Sequence, residues 1–131
     1  MPKPKLVSTA VHVALIDEAE PARIALARLL SSAGFQLAAF ASPEEFLLSA
    51  NDRRFDCLVL DLYLPFGRGF HLLRRLRRTG DRTPIVCLVA GHDAVQWKHV
   101  RASGVSCLAR PADDVALFKA VGRAAHSDSP A

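Results

Sequence analysis

The run Cys57-Leu58-Val59-Leu60-Asp61 is the most informative stretch of the chain, and the loop Leu62-Tyr63-Leu64-Pro65-Phe66-Gly67 follows it. An apolar run bounded by turn-forming residues predicts a buried strand. Its last residue, Asp61, is then expected at the carboxyl edge of a sheet, where open α/β folds carry their chemistry. A second apolar run, Val13-Ala14-Leu15-Ile16, ends in the same way with Asp17-Glu18. The two runs predict carboxylates from neighbouring strands at one edge of a sheet.

The acidic residues Asp17, Glu18 and Asp61 predict a cation site. Three carboxylates at adjacent strand ends repel one another unless a cation lies between them. Because Mg²⁺ prefers oxygen ligands, a Mg²⁺ site around a reactive Asp61 is the economical interpretation. A purely structural alternative assigns Asp17 and Glu18 to the start of a helix and Asp61 to the capping of a turn.

The length and composition predict one cytoplasmic domain. The chain has 131 residues, half of them hydrophobic, which is enough for a single core. No stretch approaches the ~20 apolar residues of a membrane span, and the start of the chain lacks the apolar segment of a signal peptide. We therefore expect no membrane partner, a loose arm at residues 1–10, a folded domain at 11–125 and a frayed tail at 126–131.

The cysteines and the charge exclude some kinds of site. Cys57, Cys87 and Cys107 are odd in number and form no C-x-x-C pair, so we expect buried free thiols rather than a disulfide or a zinc site. The formal net charge of +4 is compatible with an acidic partner but is too small to select a class of partner. The basic cluster Arg74-Arg75-Leu76-Arg77-Arg78 is interpreted as a solvated helix face, with a docking surface for an acidic partner as the alternative.

Segments with strand-like and helix-like patterns alternate five times along the chain. Such alternation favours a parallel sheet covered by helices on both faces. The predicted strands are 11–16, 36–40, 57–61, 84–89 and 105–109. The predicted helices are about 21–33, a short helix opened by the capping box Ser42-Pro43-Glu44-Glu45, 67–79, 93–102 and 112–125. The helix positions predicted to face inward are Leu26, Leu29, Leu30, Ala33, Leu72, Leu73, Leu76, Leu117, Phe118 and Val121.

Over about residues 11–125, the chain resembles the receiver domain of two-component response regulators. The resemblance rests on signals in a set order, namely Asp17-Glu18, Asp61, Pro65, Gly69 and Arg110-Pro111. It implies an α/β fold of the flavodoxin-like type, a doubly wound (βα)5 parallel sheet of order 2-1-3-4-5. It also implies that Asp61 accepts a phosphoryl group from a histidine kinase or a phosphotransfer protein. The Mg²⁺ ligands implied by the resemblance are Asp17, Glu18, Asp61 and the backbone carbonyl of Tyr63.

Three positions depart from the pattern of that family. The family's Ser or Thr at the end of the fourth strand is Val89, which has a similar shape but no donor, and residues 84–94 contain no Ser or Thr. The family's Lys before the strand-five proline is Arg110, whose planar fork is not equivalent to an ammonium group. The aromatic residue usual on strand five is replaced by Cys107. The departures predict either another signalling route or phosphorylation that is weak or lost.

Three functions compete at this point. The first is a stand-alone receiver that accepts phosphate on Asp61, without enzymatic turnover of a substrate, and signals to an unknown downstream protein by contact. The second is a degenerate receiver that binds partners without phosphorylation. The third is a metal-dependent phosphatase, which is disfavoured because Tyr63 stands where such enzymes need a second acid. We expect no direct nucleic-acid binding, since no recognition helix is appended, and Trp97 leaves a homodimer open.

Overall fold

Five strands and four helices make up the part of the chain that the computed structural model describes, which is residues 10–49, 54–61, 68–90, 106–110 and 113–126. The strands are β1 (His12–Ile16), β2 (Gln36–Phe40), β3 (Cys57–Asp61), β4 (Ile85–Ala90) and β5 (Ser106–Arg110). The helices are α1 (Glu20–Ser32), α2 (Pro43–Ser49), α3 (Arg68–Arg78) and α4 (Asp114–Ala125). Each predicted strand is found within one residue at either end. The helix predicted at 93–102 lies outside the described residues.

The strands form one parallel sheet in the order β2-β1-β3-β4-β5. This confirms the predicted flavodoxin-like arrangement. In the register of the sheet, Asp61 lies opposite Leu88, and Ala90 lies opposite Arg110. The carboxyl ends of the central strands and of β5 therefore meet at one edge. Over the described ranges, no helix has the length and apolar content needed to cross a bilayer.

Both faces of the sheet are apolar and covered by helices. On β4, the side chains of Ile85, Cys87 and Val89 belong to the layer that α2 and α3 cover. The alternate side chains, Val86 and Leu88, belong to the layer that α1 and α4 cover. Successive strand residues point to opposite faces, so a strand buried on both sides must be apolar throughout. This requirement explains why the central strands are continuous apolar runs rather than alternating patterns.

The first helix begins and ends close to its predicted bounds. Pro21 lies in its first turn, and Gly34 follows its end with a positive φ of 99°, a conformation that glycine adopts without strain. Leu30 is fully buried as predicted, but the prediction that Ala33 faces inward is wrong because Ala33 is exposed. The helix ends at Ser32, so Ala33 is the cap residue and lies outside the regular helical stripe.

The predicted capping box opens α2. The Ser42 hydroxyl oxygen accepts a hydrogen bond from the backbone N–H of Glu45 at 3.1 Å. In return, Glu45 Oε1 accepts from the backbone N–H of Ala41 at 2.9 Å, one residue before the usual partner. Together these bonds satisfy two donors at the helix start, so a seven-residue helix begins at a defined position. Phe46 in this helix is buried and packs edge-on against Phe40, with ring centroids 5.6 Å apart.

The basic cluster on α3 is not a uniform solvated face. Arg74, Arg75 and Arg78 are exposed. Arg77 is partly buried, and its Nη1 donates to two backbone carbonyls in the turn before β4, at 2.9 and 3.1 Å. Burial lowers the pKa of the Arg77 guanidinium, although the nearby Asp81 opposes that shift. Arg77 therefore holds the connection from α3 to β4, and the predicted solvated face consists of the other three arginines.

The three cysteines are free thiols, as predicted. Cys57 and Cys87 are buried, whereas Cys107 is partly exposed on β5, opposite Cys87. Burial raises the pKa of the Cys57 thiol to about 12. Burial also raises the pKa of the Cys87 thiol, and the neighbouring Cys107 adds to that shift. A thiol with a raised pKa carries very little thiolate at neutral pH, and the thiolate is the reactive form.

We expect maleimide at neutral pH to alkylate Cys107 first in the folded protein. Cys57 and Cys87 should react at least about tenfold more slowly, because they are buried and their raised pKa values suppress the thiolate. Peptide mass spectrometry over a time course measures the three rates. In denaturant, the control, the three rates should converge. Equal rates in the folded protein would contradict the expectation.

Candidate functional site

Three charged side chains meet at the carboxyl edge of the sheet. Asp17 directly follows β1, Asp61 is the last residue of β3, and Arg110 is the last residue of β5. Because the strands are parallel, their carboxyl ends lie at the same edge, and residues far apart in sequence become neighbours. The structure therefore brings together three of the site residues predicted from the sequence, namely Asp17, Asp61 and Arg110.

Asp17 is fully buried and held from several directions. Its Oδ1 accepts a hydrogen bond from the backbone N–H of Ala19 at 2.9 Å. Its own N–H donates to the carbonyl of Phe40 at 3.1 Å. Ala19 is the N-cap of α1 and makes no side-chain cap bond, so one oxygen of Asp17 organises the entry to the helix. Oδ1 thus has a structural role at the start of a helix, as the alternative interpretation of Asp17 predicted, while Oδ2 lies 3.9 Å from Arg110 Nη2.

Arg23 is a contributor that the sequence analysis missed. Its Nη1 donates to the backbone carbonyl of Asp17 at 2.9 Å, which ties the first turn of α1 to the end of β1. The available signal was its place in the first helical turn, two residues after Pro21, where a long side chain can reach back to the preceding loop. Arg23 positions Asp17 through the backbone and leaves the carboxylate open to other partners.

Arg110 makes the central contact of the site. Its Nη2 lies 2.7 Å from Asp61 Oδ2 and 3.9 Å from Asp17 Oδ2. The Asp61 side chain is 5% exposed and the Arg110 side chain is 22% exposed, so the shorter ion pair is largely shielded from solvent. Burial strengthens the attraction between the two charges but also adds the cost of removing both from water, and Arg110 Nη2 makes no well-directed hydrogen bond among the described residues.

The electrostatics of the site favour a cation. Burial raises the pKa of Asp17, and the nearby charge of Asp61 raises it further. The Ala19 N–H and the Arg110 guanidinium act in the opposite direction but do not cancel the shift. Within the described residues, Asp17 Oδ2 has no hydrogen-bond partner. An ionised Asp17 is therefore disfavoured, and any further positive charge at this edge relieves the cost.

The two buried carboxylates fit a Mg²⁺ site in part. Mg²⁺ is commonly held by only one or two carboxylates and keeps several water molecules, so the pair Asp17 and Asp61 offers carboxylates in the number that such a site uses. Among the described residues, no three His, Cys, Asp or Glu side chains are grouped closely enough to hold one metal ion. Glu18 is partly exposed and its role as a ligand stays a prediction. The Tyr63 carbonyl lies outside the described residues.

The side chain at the end of β4 is apolar, as the sequence analysis noted. Val89 is 1% exposed and packs in the layer beneath α2 and α3, and Cys107 packs against the same layer. Val89 lies opposite Ala109 in the sheet, so neither partner of this strand pair offers a hydroxyl. The strand that separates Asp61 from Arg110 therefore contributes shape to the site but no hydrogen bond from residue 89.

Replacing Asp17 by Asn is expected to raise the melting temperature of the metal-free protein. Asn can still accept from Ala19 through Oδ1, but it removes the buried charge whose ionisation is disfavoured. For a domain of this size, each kcal/mol gained corresponds to about 4 °C. Thermal melting in a chelator measures the effect, with Asp114→Asn, an exposed site on α4, as the matched control.

The same substitution should change the pH dependence of stability. A raised carboxyl pKa means that the folded chain holds its proton more tightly than the unfolded chain does. Wild-type stability should therefore increase as the pH falls through the folded-state pKa of Asp17, and Asp17→Asn should lose that increase. A melting temperature that drops in Asp17→Asn at neutral pH would mean that the carboxylate is a net structural support.

Comparisons with known proteins agree with this geometry. A family model described as the response regulator receiver domain matches residues 13–122. The transcriptional regulatory protein FixJ of Rhizobium meliloti (strain 1021) is 34% identical over 116 residues, which are 87% of this chain and 55% of FixJ. The transcriptional regulatory protein AfsQ1 of Streptomyces coelicolor is 40% identical over 81 residues, which are 62% of this chain and 36% of AfsQ1. The chain spans about half, or less, of the length of these curated relatives.

Solved structures match over nearly the whole chain. The crystal structure of FixJ-N has a TM-score of 0.85 at 28% identity, covering 95% of this chain and all of that one. A response regulator receiver protein from Burkholderia phymatum has a TM-score of 0.77 at 30% identity, covering 92% of this chain and 99% of that one. With the family model matching most of the sequence and the same sheet order observed, the chain belongs to the response regulator receiver domains of two-component signalling systems.

Proposed function

We propose that Asp61 accepts a phosphoryl group from a phosphorylated histidine of a kinase or phosphotransfer protein, and that the chain passes the signal on by protein contact. The observation that carries this proposal is the buried Asp61 carboxylate, held 2.7 Å from Arg110 with Asp17 beside them. A carboxylate in such surroundings is shielded from water and lies next to a cation that can stabilise the negative charge of an attached phosphoryl group. The chain acts as a phosphoryl acceptor rather than a catalyst that turns over a substrate.

The transfer is a displacement at phosphorus. An Asp61 carboxylate oxygen forms the new bond to phosphorus while the bond from phosphorus to the donor imidazole breaks. The imidazole nitrogen keeps the electron pair of that bond, and the product on Asp61 is an acyl phosphate. The negative charge stays on the phosphoryl oxygens, next to Arg110. When bound, Mg²⁺ supplies charge neutralisation for the phosphoryl oxygens, with Asp17 and Asp61 as its predicted holders together with Glu18 and the Tyr63 carbonyl.

Arg110 is the residue we assign to the phosphoryl oxygens. A guanidinium has several donors in one plane, so it can contact a phosphoryl oxygen while it stays near a carboxylate. The assignment is supported by Arg110 Nη2, which lies 2.7 Å from Asp61 Oδ2 and 3.9 Å from Asp17 Oδ2, so a phosphoryl group on Asp61 would form close to the guanidinium. In this assignment Asp61 is the nucleophile, Arg110 stabilises the phosphorylated product, and Asp17 supports the cation site.

The degenerate receiver remains the second candidate because of one observation. Val89 is buried in an apolar layer and offers no hydroxyl to a phosphoryl group. If the chain binds its partners without phosphorylation, the same fold and the same edge would serve only as a contact surface. Phosphoryl labelling separates the two candidates, since only the first requires a covalent product on Asp61.

The partners we propose are proteins. They are a histidine kinase or phosphotransfer protein as donor and a downstream protein as reader, with a homodimer as a further possible assembly. We propose no direct contact with nucleic acid and none with a membrane. Three free thiols suit a reducing compartment such as the cytoplasm, which is where we place the exchange.

The test of the proposal is to incubate the chain with acetyl phosphate and Mg²⁺ and to locate the product. Borohydride reduction of an acyl phosphate converts the modified Asp to homoserine, which peptide mass spectrometry identifies. We expect homoserine at residue 61 and at no other Asp. Reduction products elsewhere would overturn the assignment of the site. A complete absence of product, both with acetyl phosphate and with a phosphorylated kinase, would favour the degenerate receiver.

A further inference from the structure

Arg110 reaches across a neighbouring strand to make its contacts. It starts from β5, whereas Asp61 ends β3 and Asp17 follows β1, so β4 lies between the arginine and its first partner. Strands in a sheet are about 4.8 Å apart, which makes the span from β5 to β3 about 9.6 Å. A long side chain is needed to cover that span.

One nitrogen of the Arg110 guanidinium, Nη2, approaches both acids. Its Nη2 contacts Asp61 Oδ2 at 2.7 Å and is 3.9 Å from Asp17 Oδ2. Asp17 is 0% exposed, and its Oδ2 has no hydrogen-bond partner in the described part of the chain. A buried carboxylate oxygen without a hydrogen bond is costly, so it is directed toward whatever cation is present. Within the described part of the chain, Arg110 is a cationic group that lies 3.9 Å from this oxygen.

We propose that Arg110 is a tethered cation, held beside Asp61 Oδ2 and 3.9 Å from Asp17 Oδ2, that competes there with a divalent metal ion. The inference deepens the proposed function, on which it rests for the identity of the ion, Mg²⁺. A guanidinium and a metal ion that approach the same two carboxylate oxygens repel each other. Arg110 therefore stabilises the metal-free protein, and the protein binds Mg²⁺ only after the arginine has given up part of its contact.

This competition has two measurable consequences. Loss of the guanidinium leaves two buried carboxylates without their counter-charge, so the metal-free protein becomes less stable. The same loss removes the competitor and leaves an uncompensated negative site, so Mg²⁺ binds more tightly. We expect the Mg²⁺ affinity to rise at least about tenfold, because the variant no longer has a positive charge a few ångströms from the ion, and repulsion between two charges at that distance is of this size.

The experiment is calorimetric titration of Mg²⁺ into four proteins without any phosphoryl donor. They are the wild type, Arg110→Gln, Arg110→Lys and Arg123→Gln. Arg123 is an exposed residue in the last turn of α4, so its replacement controls for the loss of one positive charge. We expect the tightest Mg²⁺ binding in Arg110→Gln and wild-type affinity in Arg123→Gln. The Mg²⁺ affinity of Arg110→Lys should lie between these two values, because the lysine side chain is shorter and its single ammonium group reaches both acids less well than the planar guanidinium.

Thermal melting gives a second readout. In a chelator Arg110→Gln should melt below Arg123→Gln, and added Mg²⁺ should raise its melting temperature more than that of the wild type. If Arg110→Gln does not fold without metal, the comparison of Arg110→Lys with the wild type decides. A Mg²⁺ affinity in the folded Arg110 variants that equals or falls below that of Arg123→Gln would overturn the inference, and so would an absence of Mg²⁺ binding in every protein.

The two proposals at this site fail separately. Labelling of Asp61 by a phosphoryl donor tests the function, while Mg²⁺ titration without a donor tests the competition. An unlabelled wild type whose Arg110 variants gain Mg²⁺ affinity would reject the function and keep the tethered cation. A labelled wild type whose Arg110 variants gain no affinity would do the reverse.

Discussion

Asp61→Asn is expected to reduce phosphoryl labelling of the chain to background. The amide has nearly the shape of the carboxylate and can occupy the same place beside Arg110, but its oxygen is too weak a nucleophile to attack phosphorus. The residue ends β3 and is 4% exposed, whereas its neighbour Asp17 is 0% exposed and already accepts from the Ala19 N–H, so Asp17 is not expected to replace it. The measurement is incorporation of labelled phosphate from a phosphorylated kinase or from acetyl phosphate, at matched protein concentration.

The matched control for this loss is Asp56→Asn, at the residue that precedes β3. Asp56 is exposed, and its side chain accepts a hydrogen bond from the backbone N–H of His12 at 2.9 Å, so it lies at the opposite end of the strand from the site. Wild-type labelling is expected in Asp56→Asn. Labelling of Asp61→Asn that equals the wild type would show that another residue receives the phosphoryl group. Melting curves of both variants exclude unfolding as the cause.

Val89→Thr is expected to increase the conformational response to a phosphoryl mimic. A hydroxyl at the end of β4 would donate to a charged phosphoryl oxygen, and a hydrogen bond to a charged group contributes about 1.5–3 kcal/mol. Since about 1.4 kcal/mol is tenfold in an equilibrium, the population of the switched state should rise about tenfold or more. The same hydroxyl should lower the stability of the unphosphorylated protein, because residue 89 is 1% exposed in an apolar layer.

Amide NMR shifts over β5, with and without beryllofluoride, report the size of the response. We expect a small response in the wild type, a larger one in Val89→Thr and the largest when Cys107→Tyr is added, which restores both of the family's movable side chains. Val86→Thr is the matched control, since Val86 is as deeply buried on β4 but faces the opposite layer. A wild-type response of full size that Val89→Thr leaves unchanged would mean that this chain switches by another route.

Local patterns in the sequence were sufficient to predict a parallel sheet covered by helices on both faces, while the order of the strands was implied by the resemblance to receiver domains. The short apolar runs bounded by turn residues predicted strands buried on both faces, and their polar ends therefore marked the edge of the sheet where Asp17 and Asp61 are found. The capping box at Ser42 began α2 where it was predicted, because a capping bond joins residues three apart and needs no distant partner. The absence of a hydroxyl at Val89 was equally visible, since it is a property of one side chain.

Other features depended on distances between elements that are remote in sequence. Arg77 was grouped with its charged neighbours, but carbonyls in the following turn come within hydrogen-bond reach and draw it inward. The identity of Arg110 was plain from the sequence, yet its place near both acids depends on three strand ends meeting at one edge. Residue types and periodicity are properties of the chain alone. Ion-pair distances and buried oxygen atoms without partners exist only once the strands are packed, and for that reason the competition at Asp17 could be inferred only from the folded protein.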